Sequence, residues 1–171
     1  MLDPNALEAA IRAELPEVPV SVLESVGSTN QWLLDRSENE NGDRFCLALE
    51  QTSGRGRRGK SWRSPVGNFY GSASLPLAAD AAEMGPFSLA VATVVAEVLE
   101  QLGIANVRLK WPNDVCVADK KIAGILLELS QHRTHHGGRR QQRVVVGIGL
   151  NVVPVKDDVG QSVTSLQDCL G

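Results

Sequence analysis

Hydrophobic residues recur along this chain with the spacing of helices in some segments and with the spacing of strands in others. The predicted strands outnumber the predicted helices. Apolar spacing and capping residues predict helices over residues 5–15, 31–36 and 87–102. Short apolar or alternating runs predict strands over residues 18–24, 45–49, 68–75, 107–109, 115–117, 121–129 and 144–153. Strands dominate and do not alternate regularly with helices. The pattern therefore predicts an α+β fold, in which a mixed, largely antiparallel sheet is backed by helices.

The helix predicted over residues 87–102 has the clearest periodicity. Its apolar residues are expected on one broad face, formed by Leu89, Val91, Val94, Val95, Val98, Leu99 and Leu102. Gly103 is expected to end the helix, because glycine adopts the left-handed conformation that closes helices. Residues 115–117 and 121–129 are expected to pair as a hairpin, and the polar residues 130–143 to form the tip of another.

Composition narrows the class of protein. A chain of 171 residues fits one domain, and a net charge of −3 gives no sign of general affinity for nucleic acid. Cys46, Cys116 and Cys169 are odd in number and lack metal-ligand spacing, which favours a reducing, cytoplasmic location. Neither a signal peptide nor an apolar run of about 20 residues is visible, so no membrane partner is expected.

The segment GRGRRGKS at residues 54–61 matches the phosphate-binding loop of P-loop hydrolases. That loop requires a helix to begin at its lysine and serine, because the helix N-terminus binds the phosphates. Pro65 and Gly67 would break such a helix within one turn. The P-loop interpretation is therefore rejected.

A different anion site remains possible at the same segment. Glycines allow the backbone to approach a ligand closely, and the arginines between them present forks that fit phosphate and carboxylate. The alternatives are a solvated basic loop or a nucleic-acid contact, although aromatic platforms for single strands are scarce at 4% aromatic residues.

Two further segments place polar groups at strand ends. In residues 110–114, KWPND, Lys110 could stabilise charge on a phosphate or an acyl phosphate, or could be an exposed turn residue. In residues 147–151, GIGLN, small residues permit close approach and Asn151 could contact a polar ring, or the segment could be a bulged strand. His132, His135 and His136 lack a carboxylate or cysteine neighbour, so a solvated hairpin tip is favoured over a metal site.

Four segments together resemble the biotin–protein ligases, or biotin–[acetyl-CoA-carboxylase] ligases. They are GSTNQWLLDR at 27–36, EQTSGRGRRGKSW at 50–62, LKWPNDVCVADKKIAGILLEL at 109–129 and VVVGIGLNV at 145–153. They occur in the order and at the approximate spacing of that family. The resemblance implies the family's catalytic domain, which is related to class II aminoacyl-tRNA synthetases. It assigns residues 1–171 to that domain, incomplete at its C-terminal end, without a helix-turn-helix domain or a C-terminal β-barrel domain.

The resemblance also implies a reaction and a set of site residues. Biotin and ATP with Mg²⁺ would give biotinyl-5′-AMP, from which biotin passes to a lysine of a biotin carboxyl carrier protein. The residues expected to bind biotin are Ser28, Thr29, Asn30, Gln51, Gly54, Arg55, Gly56, Arg57 and Lys110. Those expected at ATP or the adenylate are Arg57, Lys60, Lys110 and Asn151. Lys110, Arg57 and Arg55 would be catalytic, and metal ligands are not assigned.

The residues agree chemically with that reaction. Attack of a carboxylate on a phosphate brings two anions together, and Lys110 with the loop guanidiniums would offset their repulsion. Closing the loop would exclude water from the adenylate. A homodimer is compatible with the family, and DNA binding is not expected. A non-ligating binding protein and a lipoate-type ligase remain as alternatives.

Overall fold

Seven strands form a single sheet in the computed structural model, which describes residues 3–36, 42–77, 84–130, 142–155 and 161–171. The strands are β1 Val20–Val26, β2 Arg44–Gln51, β3 Phe69–Leu77, β4 Val107–Lys110, β5 Asp114–Val117, β6 Lys120–Ser130 and β7 Gln142–Leu150. Their order across the sheet is β1-β2-β3-β7-β6-β5-β4. Within this sheet only β1 and β2 pair in parallel, and the other neighbours are antiparallel. The predicted α+β class with a mixed, largely antiparallel sheet is confirmed.

Four α-helices lie among the described residues: α1 Pro4–Glu14, α2 Thr29–Arg36, α3 Met84–Gln101 and α4 Leu166–Leu170. Asp3 caps α1, since its carboxylate accepts a hydrogen bond from Asn5 N at 3.0 Å, and Pro4 fits the first helical position. Gly103 has φ 90° just after α3, as predicted for the residue that ends it. No helix in the described part of the chain is long and apolar enough to cross a membrane.

Helices α2 and α3 pack on opposite faces of the sheet, as the alternation of β7 shows. Val145 belongs to a small core cluster with Leu33 of α2 and Cys46 of β2. Ile148 and Leu150 point the other way and pack against the larger cluster beneath α3. The face that carries α2 also carries the cavity described below.

The apolar face predicted for α3 is only partly buried, which corrects the expectation of one broad packed face. Leu99 is buried and Val95 packs against the core, but Val94 is 59% exposed and Leu102 is 52% exposed. The small residues Ser88 and Ala92 are buried in their place. A helix resting on a sheet buries a narrower sector than its hydrophobic residues span, and small residues allow the closest contact.

The last strand was predicted to reach Val153, but β7 ends at Leu150. Asn151 N donates to Ile122 O at 2.9 Å. The side chain of Asn68 then accepts hydrogen bonds from Val152 N at 2.7 Å and Val153 N at 2.9 Å. A side chain from a distant segment replaces the strand partner, so the ladder stops three residues early.

The predicted hairpin of β5 and β6 is formed, and it turns at Ala118 and Asp119. Both residues have positive φ, 46° and 65°, as a two-residue hairpin turn requires. The hairpin tip predicted over residues 130–143 is shorter than expected, because Ser130 ends β6 and Arg143, which is buried, belongs to β7; residues 131–141, with the histidines, lie outside the described residues.

Candidate functional site

A cavity of about 710 Å³ opens on the face of the sheet that carries α2. Its walls come from the start of α2, the segment after β2, the β4–β5 connection, and the central parts of β6 and β7. Every predicted site residue except Gly54 lines it. Segments separated by more than 100 residues in sequence therefore meet in one place.

The segment 54–61 forms a compact loop and not a P-loop. Arg57–Gly59 makes one 3-10 turn, and Gly56 N donates to Lys60 O at 2.7 Å. Isolated bridges join Gln51 to Ser64 and Arg55 to Ser61, so the chain returns on itself. The described residues that follow lead into β3 and not into a helix. This confirms that the phosphate-binding helix of a P-loop is not formed here.

Gly54 lies outside the cavity because it is packed within the base of this loop. A Cβ at this position would overlap the carbonyl oxygen of Trp62 and lie 2.5 Å from Ser64 Oγ. The glycine therefore allows two strands of the loop to approach each other. Its predicted contact with biotin stays a prediction, and its contacts in the structure are internal.

Positive charge dominates the cavity wall. The basic residues that line it are Arg55, Arg57, Arg58, Lys60, Arg63, Lys110 and Lys121. Among the described residues that line the cavity, Asp114 supplies the only carboxylate. A chain with a net charge of −3 thus concentrates cations around one hollow, which favours an anionic ligand.

A cluster of buried polar side chains forms the part of the cavity wall at the start of α2. Ser28, Thr29 and Asn30 are between 3% and 5% exposed at the start of α2. Gln51 Oε1 accepts from Thr29 N at 2.9 Å, and Gln51 Nε2 donates to Ser64 Oγ at 2.9 Å. Thr29, Gln51 and Ser64 therefore hold one another in place before any ligand arrives, as expected for buried polar groups.

Ser72 of β3 completes this polar cluster and was not predicted as a site residue. Its hydroxyl lies 2.7 Å from Thr29 Oγ1 and 2.6 Å from Asn30 Oδ1. Large and small residues alternate over residues 68–75, a pattern typical of a strand packed closely against another element, and that element is the start of α2. A short hydroxyl at this position spans the gap between strand and helix.

The side-chain amide of Asn30 is hydrogen-bonded to protein groups through both its nitrogen and its oxygen. Its Nδ2 donates to Leu126 O at 3.2 Å and to Glu128 Oε2 at 2.9 Å, while Oδ1 lies at the Ser72 hydroxyl. Gly147 lies directly beneath it, and a Cβ there would lie 2.8 Å from Asn30 Cγ. Small residues in the segment 147–151 were predicted to permit close approach, and at Gly147 the group that approaches is the Asn30 side chain.

The pentad 110–114 divides between two elements. Lys110 is the exposed last residue of β4, and Asp114 is the first residue of β5. Asp114 Oδ1 pairs with Lys121 Nζ at 2.7 Å, and its Oδ2 accepts from Gln161 Nε2 at 3.1 Å. Lys121 was missed from sequence because one lysine among several gives no periodic signal.

Trp62 forms part of the cavity floor. Cβ atoms at Gly124 and Gly149 would contact its ring at 3.1 Å and 2.6 Å. The Lys121 ammonium lies 5.0 Å from the ring centroid, within cation–π range. The two glycines in neighbouring strands therefore make the recess in which the indole lies.

Asn151 is 3% exposed, and its Nδ2 donates to Thr164 O at 3.0 Å. It lines the cavity while joining β7 to the segment before α4. Its predicted place beside a nucleotide stays a prediction.

The fold and the cavity define an α+β protein whose cavity, with a buried polar cluster and a cationic loop in its wall, is suited to a small anionic molecule. The model of the biotin/lipoate A/B protein ligase family matches residues 22–151, and this chain belongs to that family.

Characterised relatives are similar over most of this chain. The bifunctional ligase/repressor BirA of Salmonella typhimurium is 44% identical over 153 residues, covering 87% of this chain and 46% of the relative. BirA of Escherichia coli is 45% identical over 144 residues, covering 83% and 43%. The biotin–[acetyl-CoA-carboxylase] ligase of Paracoccus denitrificans is 37% identical over 141 residues, covering 80% and 55%. The chain thus spans about half the length of these relatives.

Solved structures agree in fold. The biotin protein ligase of Aquifex aeolicus in complex with biotin and ATP superposes with a TM-score of 0.68 at 31% identity, covering 86% of this chain and 59% of that one. The ligase of Leishmania major in complex with biotinyl-5-AMP gives 0.66 at 28% identity, covering 87% and 63%.

Proposed function

We propose that this chain forms the catalytic domain of a biotin–protein ligase, which activates biotin with ATP and transfers it to a lysine of a biotin carboxyl carrier protein. The observation that carries the proposal is the union, in one cavity, of a buried hydrogen-bonding cluster and seven cationic side chains. Such a cavity suits a neutral polar ring at one end and a carboxylate with phosphates at the other. The ligands named for the Aquifex aeolicus and Leishmania major structures support this choice.

The first step would join biotin to the nucleotide. A biotin carboxylate oxygen attacks the α-phosphorus of ATP, the bond to the β-phosphate oxygen breaks, and pyrophosphate leaves. Lys110 and Arg57 line the wall where these anions would meet and would offset their repulsion. Because no protein nucleophile is needed, the protein contributes mainly position and charge.

The second step would transfer the acyl group. The amine of the acceptor lysine attacks the carbonyl of the mixed anhydride, an amide forms, and AMP leaves. Until then the loop over the cavity would keep water from the anhydride. Arg55 and Arg57, which lie on this loop and line the cavity, are the side chains proposed to cover the intermediate.

The polar cluster would recognise the ureido ring of biotin. Ser28, Thr29 and Gln51 line the cavity and offer hydroxyl and amide groups in fixed positions. Asn30 is proposed to act by holding this end of the cavity, since its own amide is bonded to protein groups. Lys60 and Asn151 are proposed for the nucleotide side.

Mg²⁺ would enter with ATP as part of the substrate. The described residues include no group of three histidine, cysteine or acidic side chains able to hold a metal ion by themselves. The oxygens of Asp114 are engaged by Lys121 and Gln161. Magnesium bound chiefly through phosphates agrees with this arrangement. The cytoplasmic location, the homodimer and the identity of the carrier protein stay predictions.

Biotin-dependent exchange of labelled pyrophosphate into ATP tests the proposal on the purified protein. Exchange with biotin and none with lipoate is expected. Faster exchange with lipoate would favour the lipoate-type alternative. Biotin binding without exchange would favour a non-ligating binding protein.

A further inference from the structure

Arg55 lies in the wall between two hollows. One is the cavity proposed for substrates, and the other, of about 690 Å³, lies on the outer side of the loop. Arg55 lines both, whereas Glu128 lines the outer hollow and not the inner one. Glu128 thus contacts Arg55 without lining the substrate cavity itself.

Two side chains hold the Arg55 guanidinium from outside the loop. Its Nη1 donates to Gln31 Oε1 at 2.7 Å, and its Nη2 donates to Glu128 Oε2 at 2.7 Å. These contacts account for two of the five N–H donors of an arginine, so an anion in the cavity need not displace either partner. The Arg55 guanidinium can therefore donate its other N–H groups to an anion in the substrate cavity while Gln31 and Glu128 hold it.

Glu128 also connects the loop to the polar cluster. The same oxygen, Oε2, accepts from Asn30 Nδ2 at 2.9 Å. The carboxylate is partly shielded, with 26% of the Glu128 side chain and 34% of the Arg55 side chain exposed. Shielded charge-assisted hydrogen bonds are stronger than exposed ion pairs, which contribute little.

The loop has a weaker hold on the opposite wall. Arg57 Nη1 lies 3.5 Å from Asn113 Oδ1, at the limit of a hydrogen bond. The Arg55–Glu128 contact is therefore the stronger of these two side-chain attachments of the loop to the rest of the fold.

We infer that Glu128 is a positioning residue, which orients Arg55 toward the carboxylate or phosphate of the substrate and fastens the loop over the cavity. The inference rests on the proposed function. Because Arg55 is already held in place before binding, less side-chain conformational entropy is lost when the substrate binds. Loss of Glu128 therefore weakens substrate capture more than it slows chemistry.

Glu128→Gln tests this role, because it removes the charge and keeps the size of the side chain. The KM for biotin in pyrophosphate exchange is expected to rise about tenfold, the size expected for a charge-assisted hydrogen bond, with kcat changed less than about twofold. Glu24→Gln is the matched control, since Glu24 is an exposed residue of β1 with the same charge. An unchanged KM, or a lower one caused by Glu128 competing with the substrate for Arg55, would overturn the inference.

A double-mutant cycle separates positioning from general stability. If Glu128 acts through Arg55, adding Glu128→Gln to Arg55→Gln should raise the KM by less than about twofold beyond Arg55→Gln alone. Independent multiplication of the two effects would contradict the inference.

Limited trypsin digestion tests the attachment without substrate. The loop offers cleavage after Arg55, Arg57, Arg58 and Lys60, and mass spectrometry identifies the cut bonds. Glu128→Gln should speed cleavage in this loop several-fold at an unchanged midpoint of thermal unfolding, because only local opening becomes easier. Equal cleavage in Glu128→Gln, Glu24→Gln and wild type would overturn the attachment.

The two proposals fail separately. Absence of exchange in the wild-type protein would contradict the ligase function, and the digestion would still decide whether Glu128 fastens the loop. Exchange in the wild type with unchanged KM and cleavage in Glu128→Gln would leave the ligase function standing and remove the positioning role.

Discussion

Two parts of the cavity wall, a buried end at the start of α2 and a charged end on the loop 54–61, are built in opposite ways. At the buried end Ser28, Thr29 and Asn30 are buried, Thr29 is bonded to Gln51, and the Ser72 hydroxyl is bonded to both Thr29 and Asn30. At the other, Arg57 and Lys60 are exposed on a loop with few attachments to the sheet. The buried end fixes a shape, and the exposed end supplies charge that can move. Recognition of a neutral ring and stabilisation of phosphate charge require these different properties.

Removal of the ammonium of Lys110 should have the largest effect on chemistry at the charged end. Lys110→Ala is expected to lower the rate of adenylate formation by about a hundredfold or more, as loss of a group that stabilises transition-state charge does. Circular dichroism should be unchanged because the side chain is exposed. The matched control is Lys120→Ala, an exposed lysine at the start of β6 that does not line the cavity. Exchange near the wild-type rate in Lys110→Ala would remove this lysine from the proposed mechanism.

A methyl group at Gly147 should damage the buried end instead. Gly147→Ala places a Cβ against the Asn30 amide, so the unfolding free energy should fall by about 1 to 3 kcal/mol and biotin binding should weaken. Urea denaturation and calorimetry measure the two effects. Gly85→Ala in α3 is the control, since nothing lies within 4 Å of its added Cβ and alanine favours helices. Equal stability of the two variants would mean that Asn30 adapts and that the buried end is not rigid.

A looser loop should release the intermediate. Arg57→Gly removes the side chain that reaches toward Asn113 and adds backbone freedom. Labelling of lysines on an unrelated protein by escaped biotinyl-AMP should increase several-fold, as detected with streptavidin. Arg108→Gln, which removes one charge from the exposed edge strand, should label like the wild type. If Arg57→Gly does not exceed that level, the loop is not the cover that we propose.

Alkaline pH should lower the free energy of unfolding, because two buried acidic groups resist ionisation in the folded protein. Burial raises the pKa of the Cys46 thiol and of the Tyr70 hydroxyl, each to about 12. Cys46 pairs with Ser72 across β2 and β3, so it lies beside the polar cluster. Because these groups ionise at lower pH in the unfolded chain, stability is complete below about pH 9 and is lost progressively toward pH 12. The expected slope is about 1.4 kcal/mol per pH unit for each group, and urea denaturation against pH measures it. Cys46→Ala should reduce the slope between pH 9 and 10, and an unchanged slope there would contradict this origin.

Much of the architecture could be predicted from local patterns. Alternating and helical spacing located the strands and the main helices to within a few residues, since each period follows directly from backbone geometry. The loop 54–61 was separated from a P-loop by Pro65 and Gly67 alone. The resemblance of short motifs identified the family. It also predicted a set of site residues, and all of these except Gly54 line one cavity in the structure.

Contacts between distant segments decided the rest. Asn30 lies over Gly147, and Glu128 is bonded to Arg55. The periodicity of the local sequence predicts neither contact. The hydrophobic sequence of α3 did not say which of its residues the sheet would cover. Sequence by itself determined the elements, the family and the charge of the site, because these depend on neighbouring residues and on short motifs. Only the tertiary structure decided which side chains are already bonded to one another, because sheet order and packing bring those groups together across the chain.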